Sequence, residues 1–209
     1  MKTFNGCSQS LLYYSGIIPH PEIDRWELSL YSQIITQKCN SLVDLGCGTG
    51  DFLSLASKLF PYAVGVDLNS SSIKICQKKG IPAYKQNATK TYFENNSFDI
   101  VRAQNILEHL PQPDKLITEA YRILKPRGYL VIHVPTQFST FYPITNFWDD
   151  YTHVRPFTKR CLYRLLNDFK FKLIYSKGYT VGRNSVETII GKIIEKFIPF
   201  CWFAIAIKK

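Results

Sequence analysis

The sequence predicts an α/β fold, in which helices cover both faces of a mostly parallel β-sheet. Short apolar runs of strand length alternate with segments whose apolar residues recur at helical spacing, from about residue 40 to residue 135. The first run, Leu42-Val43, ends in a turn with three glycines in five positions and leads directly into a helical apolar face. The composition is that of a globular chain, with 45% hydrophobic and 20% charged residues.

The glycine-rich turn, residues 42–51, reads LVDLGCGTGD. Gly46, Gly48 and Gly50 have no Cβ, so the backbone can approach a ligand closely there. In a dinucleotide fingerprint the third glycine would occupy position 51, where this chain has Asp51. A carboxylate at the start of a helix would repel a pyrophosphate that the helix dipole otherwise attracts. The turn therefore predicts a nucleotide-type ligand without phosphate groups.

An acidic residue closes the second predicted strand, residues 62–67. Asp67 comes 21 positions after Gly46, close to the spacing at which an acid meets ribose hydroxyls in nucleotide-binding folds. The next helix, residues 70–79, is predicted to begin with Asn69 or Ser70 as its cap and to end at Gly80. The glycine turn and the spaced acid together predict a ribose-containing ligand.

The remaining elements follow from the same patterns. A leading helix is predicted over residues 22–39, before the first strand. Further strands are predicted over residues 81–86, 98–103, 129–134, 169–176 and 202–207, and further helices over residues 114–124, 158–168 and 186–197.

Four segments, in order, resemble the class I S-adenosylmethionine-dependent methyltransferases: VDLGCGTG, GVDLNSSSI, FDIVRAQNILEHL and EAYRILKPRGYLVIHVP. The resemblance is close over about residues 40–135 and extends to small-molecule and glycan-pathway members through DxxHxRxFT further on. It implies an enzyme that uses S-adenosyl-L-methionine. It also implies a Rossmann-like three-layer α/β/α sandwich whose seven-stranded, mostly parallel sheet has an antiparallel last strand.

The resemblance implies a cofactor site along the carboxyl ends of the strands. Asp44 is expected to support the methionine end of the cofactor, and Asp67 to bind both ribose hydroxyls. Asn87 is expected at the edge of the adenine and Leu68 on its face, although Asn87 could instead serve only the turn. The complete predicted set is Asp44, Gly46, Cys47, Gly48, Gly50, Asp67, Leu68, Asn87, Ala88 and Gln104.

The acceptor side is predicted in the aromatic loop of residues 136–158, since long loops in compact domains are commonly functional. His153 is the first candidate for a general base, with Asp150 orienting its ring. His109 is a second candidate and His133 a third. For each of these histidines, packing is the alternative interpretation. The segment AQNILEHL stands where methyltransferases acting on nucleic-acid bases carry an NPPY-like motif, which counts against that substrate class.

Length predicts a single domain over residues 1–209, with a leading helical cap over 1–40, a cofactor-binding core over 41–135, and an acceptor part over 136–209.

The net charge of +10 comes mostly from the second half, which carries 17 basic against 8 acidic residues. This basic half is consistent with an acidic substrate, an anionic membrane surface or nucleic acid. The acceptor is predicted to be a small, acidic or lipid-linked molecule, with nucleic acid less expected and peripheral membrane contact through residues 186–202 as an option. A solvated basic surface is the alternative, and the oligomeric state is left open.

The six cysteines form no CxxC pair and no metal-ligand spacing, so no metal is predicted. With no signal peptide pattern at the start, the sequence predicts a cytoplasmic protein. Two other functions stay open: an RNA or protein methyltransferase, and a module that binds S-adenosyl-L-methionine without catalysis.

Overall fold

The computed structural model describes residues 21–141, 147–180 and 198–209. Within it the chain divides into two compact units, unit 1 up to Ala88 and unit 2 from Thr89. The prediction of a single domain stays a prediction. The tyrosines at positions 13 and 14, the centre of the aromatic loop at residues 142–146 and the helix predicted over residues 186–197 lie outside the described residues.

Unit 1 alternates strands and helices, as the apolar pattern predicts. Its strands are parallel and lie in the order β3-β2-β1, with Asp44 of β1 opposite Gly65 of β2 and Asp67 of β2 opposite Lys85 of β3. The elements are α1 (Pro21–Ile34), β1 (Ser41–Leu45), α2 (Asp51–Ala56), β2 (Tyr62–Asp67), α3 (Ser70–Lys78) and β3 (Ala83–Lys85).

Unit 2 holds four strands in the order β4-β5-β7-β6. The pair β4 and β5 is parallel, whereas β7 runs antiparallel to both of its neighbours, β5 and β6. The elements are β4 (Phe98–Gln104), α4 (Pro113–Ile123), β5 (Leu124–Pro135), α5 (Lys159–Asp168), β6 (Phe171–Tyr179) and β7 (Cys201–Lys208), with short 3₁₀ helices at Leu107–His109, Gln137–Phe141 and Phe147–Asp149.

The seven strands form a mixed, mostly parallel sheet with an antiparallel last strand, and this confirms the predicted fold class. The core combines the apolar side chains of the strands with those on the inner faces of the helices, such as Leu53 in α2 and Leu116 in α4. The five residues of β1 are all buried, as is most of β5, because helices cover such strands on both faces. Lys208 in β7 is also buried, and its ammonium group donates to the carbonyls of Tyr121 and Leu124 at 2.6 and 2.7 Å.

Several element ends differ from those predicted. The leading helix ends at Ile34 instead of residue 39, and the N–H of Ile35 makes one more helical hydrogen bond, to the carbonyl of Tyr31 at 2.9 Å. Strand β5 begins at Leu124, five residues earlier than predicted, because Leu124 already pairs with Phe98 of β4. The register is then irregular through the predicted turn, where Arg127 is left-handed with φ of 62°, and pairing resumes at Tyr129 opposite Ile100. Other predictions are confirmed: Asn69 caps α3, its Oδ1 accepting from the backbone N–H of Ser71 at 2.8 Å.

A buried carboxylate in α4 gives a testable stability prediction. Glu119 is 6% exposed and accepts hydrogen bonds from the N–H and hydroxyl of Thr91 and from the guanidinium of Arg122, at 2.5 to 2.9 Å. Burial raises the pKa of Glu119, but these hydrogen bonds outweigh burial and hold the pKa below its ordinary value of 4.5. The ionised form is therefore the one that stabilises the fold.

Replacing Glu119 with glutamine is expected to lower the free energy of unfolding by about 2–3 kcal/mol near neutral pH, because the charged acceptor is lost. The loss should shrink as the pH falls below about 4.5, where Glu119 of the unfolded chain takes up a proton before the native carboxylate does. Urea unfolding of both proteins between pH 3 and 7 measures this, with the exposed Asp168→Asn as the control. Equal wild-type and Glu119→Gln stabilities at pH 7 would contradict the prediction.

Candidate active site

The glycine turn lies at the carboxyl end of β1, where the sequence predicts it. Gly46, Gly48 and Gly50 have φ of 83°, 52° and 76°, a left-handed backbone that residues with a Cβ rarely adopt. The N–H groups of Gly46 and Cys47 both donate to the carbonyl of Val66, at 2.8 and 3.0 Å. These bonds hold the turn against the end of β2.

Asp67 ties the glycine turn to the start of α3. Its Oδ2 accepts from the N–H of Gly48 at 3.0 Å, and its Oδ1 accepts from the N–H of Asn69 at 2.7 Å. An ionised carboxylate has about four acceptor positions. Besides these two bonds, Asp67 therefore has acceptor capacity for two hydroxyl groups, as binding of a ribose requires.

Two thiols pack under the turn. The Sγ of Cys76 donates to the carbonyl of Gly48 at 3.3 Å. Its hydrogen bond with Cys47, burial, and the charge of Asp44 raise the pKa of Cys47, so this thiol stays protonated. Asp44 itself is 1% exposed. The thiol of Cys47 is thus a neutral group in the floor of the turn.

The other predicted cofactor residues differ in exposure. Leu68 is 64% exposed and Asn87 is exposed, so both are accessible to a ligand, whereas Ala88 is buried. Gln104, which belongs to unit 2, is half-buried, and its Oε1 accepts from the guanidinium of the buried Arg102. These positions stay predictions.

The carboxylate at the start of α2 is not an isolated charge. Asp51 accepts from the ammonium group of Lys79 and from the hydroxyl of Thr49, each at 2.7 Å. Burial raises the pKa of Asp51, but these two bonds outweigh it and the pKa is lowered. Because Lys79 offsets the charge of Asp51, repulsion of a pyrophosphate is weaker than the sequence alone indicates.

Unit 2 brings the predicted catalytic residues together. The rings of His109 and His153 lie 4.6 Å apart between centroids, and Nε2 of His153 is 3.9 Å from Oδ2 of Asp150. Glu108, beside His109 in the 3₁₀ helix after β4, is 1% exposed. The four residues Glu108, His109, Asp150 and His153 are named the histidine–carboxylate cluster below.

Hydrogen bonds to backbone carbonyls hold the aromatic loop against this 3₁₀ helix and the residues that follow it. The carbonyl of Glu108 accepts from the N–H of Val154 at 2.8 Å, and the guanidinium of Arg155 donates to the carbonyl of Pro111 at 2.9 Å. The ring of Phe147 stacks on His153 with centroids 4.2 Å apart. The loop exposes Trp148 and Tyr151, which are 56% and 73% exposed, and buries Phe147 and Phe157.

Hydrogen bonds determine which nitrogen of each histidine carries the proton. The Nδ1 of His153 lies 2.5 Å from the carbonyl of Phe147, which can only accept, so Nδ1 carries the hydrogen. The hydroxyl of Thr152 donates to Oδ1 of Asp150 at 2.6 Å, so its oxygen accepts from Nδ1 of His109 at 2.8 Å. In the neutral rings the lone pair therefore lies on Nε2 of both histidines.

Burial and charge shift the pKa values in this cluster. Burial raises the pKa of Glu108 to about 8, and the charge of Asp150 adds to the rise. Burial and the neighbouring His153 lower the pKa of His109. Burial opposes ionisation of Asp150 as well, but hydrogen bonds from Thr152 and the charge of the two histidines hold its pKa below the usual value. The cluster thus favours the neutral form of His109 and the ionised form of Asp150.

Sequence reasoning missed Glu108 and Thr152. The adjacent acid and histidine in ILEHL were a usable signal for Glu108. Thr152 had none, because its partner His109 lies 43 positions away. His133, the third candidate base, is fully buried within β5, and its Nδ1 lies 2.8 Å from the hydroxyl of Tyr179. This contact supports packing as the role of His133.

The fold is that of the class I S-adenosylmethionine-dependent methyltransferases. Residues 43–132 match the family described as "Methyltransferase domain". This part of the chain is a methyltransferase domain, and S-adenosyl-L-methionine is its cofactor. The resemblance predicted from the sequence is confirmed.

Solved structures agree with this. A SAM dependent methyltransferase from Archaeoglobus fulgidus superposes with a TM-score of 0.75 and 25% identity, covering 95% of this chain and 99% of that one. A putative methyltransferase from Bacillus halodurans has a TM-score of 0.69 at 20% identity, over 87% and 98% of the two chains, and supports the fold alone.

The similarity to curated relatives covers only part of the length of those proteins. The demethylmenaquinone methyltransferase of Lactobacillus johnsonii is 27% identical over 158 residues, 70% of this chain and 64% of that protein. The ubiquinone/menaquinone biosynthesis C-methyltransferase of Psychromonas ingrahamii is 31% identical over 56% of this chain and 50% of that protein. The chain thus matches about half to two thirds of the length of these relatives. In the part that the structure describes, no helix has the length and apolar character needed to cross a membrane.

Proposed function

We propose that the chain moves the methyl group of S-adenosyl-L-methionine to an oxygen or nitrogen atom of a small or lipid-linked acceptor. The hydrogen bond from Gly48 to Asp67 carries the cofactor half of the proposal, because it joins the glycine turn to the predicted ribose-binding acid. When bound, the cofactor supplies a sulfonium, which is an excellent leaving group. The protein mainly has to align the acceptor with the methyl group, and alignment of this kind contributes about 7–11 kcal/mol.

The histidine–carboxylate cluster is proposed to remove the proton from the acceptor. Nε2 of His153 has its lone pair available, and Asp150 at 3.9 Å would stabilise the ring once it is charged. His109 and Thr152 hold Asp150 in place through the hydrogen bonds described above. The exposed rings of Trp148 and Tyr151 offer the acceptor apolar contact beside this cluster.

A carbon acceptor is the second candidate. The Psychromonas ingrahamii relative is named a ubiquinone/menaquinone biosynthesis C-methyltransferase, and a Mycobacterium leprae relative is named a phthiotriol/phenolphthiotriol dimycocerosates methyltransferase. Both names support a lipid-linked acceptor. An activated ring carbon also has to lose a proton, so the same cluster would serve all three kinds of acceptor atom.

The basic character of the second half supports an acceptor with an acidic group. A cavity of about 490 Å³ on the outer face of α5 is lined by Lys159, Arg160, Tyr163, Arg164 and Asn167. Its three cationic side chains favour an anionic part of the acceptor or an anionic lipid surface. Peripheral membrane contact through residues 186–202 remains part of this proposal.

Calorimetric titration with S-adenosyl-L-methionine, S-adenosylhomocysteine and NAD tests the cofactor half. We expect micromolar binding of the first two and none of NAD. Transfer from a methyl-labelled donor to a catechol, an aromatic amine and a demethylated quinol then separates oxygen, nitrogen and carbon acceptors. Methylation of RNA or of a peptide in place of these would overturn the acceptor proposal, and cofactor binding without any transfer would favour the non-catalytic alternative.

The methyl-transfer assay also tests the histidine–carboxylate cluster. His153→Ala is expected to lose turnover by about 100-fold or more while keeping its affinity for S-adenosyl-L-methionine, since a general base contributes about 10²–10⁴-fold. Asp149→Asn, an exposed acid four positions earlier, is the matched control and should turn over normally. Normal turnover of His153→Ala would return this residue to a packing role.

A further inference from the structure

Three side chains of unit 2 bring potential ligand atoms together. One atom each from Glu108, His109 and His153 lies within 4.8 Å of the other two. Glu108 and His109 are adjacent in the chain, and the aromatic loop supplies His153. We propose that these three side chains bind one divalent transition-metal ion through two imidazole nitrogens and one carboxylate oxygen.

The tautomers of both histidines fit this role. Nδ1 of His153 donates to the carbonyl of Phe147, and Nδ1 of His109 donates to the hydroxyl of Thr152. Each ring therefore presents the lone pair of Nε2. Histidines that bind metals are held in this way, with the other nitrogen donating to a carbonyl, a carboxylate or another fixed acceptor.

Two of the potential ligand atoms are buried without hydrogen bonds. Within the described part of the chain, neither Oε2 of Glu108 nor Nε2 of His153 has a hydrogen-bond partner. Glu108 is 1% exposed and the side chain of His153 is 10% exposed, so bulk water does not satisfy these atoms readily. Buried polar atoms are costly when left unpaired, and a shared cation would satisfy both atoms at once.

The donor set selects the kind of metal. Two imidazoles and one carboxylate suit Zn²⁺, Fe²⁺, Mn²⁺ or Co²⁺, and leave coordination positions open for water or a substrate oxygen. Two atoms bonded to one such ion at about 2.1 Å lie at most about 4.2 Å apart. The side chains, whose atoms lie within 4.8 Å, would have to close in by about half an ångström. Rotation of the side chains provides that movement.

A bound cation would change how the acceptor is activated. Nε2 of His153 cannot hold a proton and a metal together, so a metal-bound acceptor oxygen, made more acidic by the charge of the cation, would instead lose its proton to solvent water. This inference goes beyond the proposed methyl transfer and does not depend on it, because the cluster can be tested for metal without cofactor or acceptor.

The test uses the full chain without a histidine tag, treated with a chelator and then titrated with Co²⁺ followed by its visible absorption bands, in the absence of S-adenosyl-L-methionine. We expect one equivalent of Co²⁺ to bind and to be displaced by Zn²⁺. Glu108→Gln and His153→Ala should each weaken binding about 100-fold or more, and Thr152→Val, which frees the ring of His109, about 10–100-fold. The exposed Glu94→Gln is the control and should bind as the wild type does.

Circular dichroism checks that each variant folds, and a rise in the melting temperature of the wild type with Zn²⁺ provides a measurement that needs no variant. Absence of both Co²⁺ absorption and the melting shift would overturn the proposal, as would variants that bind like the wild type. Methyl transfer by the chelator-treated protein would leave the proposed function intact, so failure of one proposal is distinguishable from failure of the other.

Discussion

Replacing Asp67 with alanine is expected to abolish measurable binding of S-adenosyl-L-methionine while the protein stays folded. Two hydrogen bonds from ribose hydroxyls to a carboxylate are each worth about 1.5–3 kcal/mol, so their loss corresponds to about 100-fold or more in affinity. The backbone bonds to Gly48 and Asn69 are lost as well, which loosens the glycine turn. Both effects lower affinity, and neither removes a core side chain, because Asp67 is only half-buried.

Calorimetric titration with S-adenosyl-L-methionine and S-adenosylhomocysteine measures the loss in Asp67→Ala. The control is Asp51→Asn, which changes an acid at the start of α2 that is paired with Lys79 and exposed by 45% at its side chain. Asp51→Asn should keep the affinity within a few fold of the wild type. Wild-type affinity in Asp67→Ala would remove Asp67 from the cofactor site, and loss of affinity in both variants would point to a general effect of charge.

Gly65→Ala is expected to destabilise unit 1 and to weaken cofactor binding together. A Cβ at Gly65, in the middle of β2, would lie 2.5 Å from Sγ and 2.6 Å from Cβ of Cys47, and 2.6 Å from Cδ1 of Leu53. These distances are far below van der Waals contact, so Cys47 must move. Overpacking of this kind costs about 1–3 kcal/mol. Because Cys47 lies inside the glycine turn, its displacement also moves the N–H of Gly48 that Asp67 accepts from.

Gly80→Ala separates these two effects. A Cβ at Gly80 would meet no atom within 4 Å, but its φ of 71° is unfavourable for alanine. The variant should therefore lose about 1–2 kcal/mol of stability from the backbone conformation alone and keep its cofactor affinity. Thermal unfolding and calorimetry of both variants test this. A Gly65→Ala protein that binds the cofactor like Gly80→Ala would show that Cys47 does not position the turn.

Local patterns in the sequence were sufficient to predict the backbone of the cofactor-binding segments in unit 1. The apolar run of β1, the glycines and the cap at Asn69 involve residues within a few positions of one another, so spacing alone predicts the backbone they adopt. The acid at Asp67 could be predicted because its distance from Gly46 is set by one helix and one strand. The ends of α1 and β5 were predicted less well, and for β5 the reason is a non-local pairing of Leu124 with Phe98 that local spacing does not reveal.

The histidine–carboxylate cluster in unit 2 could be identified only from the tertiary structure. His109 and Thr152 lie 43 positions apart, and only the folding of the aromatic loop onto the 3₁₀ helix after β4 joins them. The sequence identified His109, Asp150 and His153 as separate candidates, but not the burial of Glu108 or the tautomers that Thr152 and Phe147 select. Burial and hydrogen-bond partners depend on contacts between distant segments, and no spacing along the chain encodes these contacts. The sequence by itself therefore determined the class of enzyme and its cofactor, whereas the tertiary structure decided which side chains lie together in the histidine–carboxylate cluster.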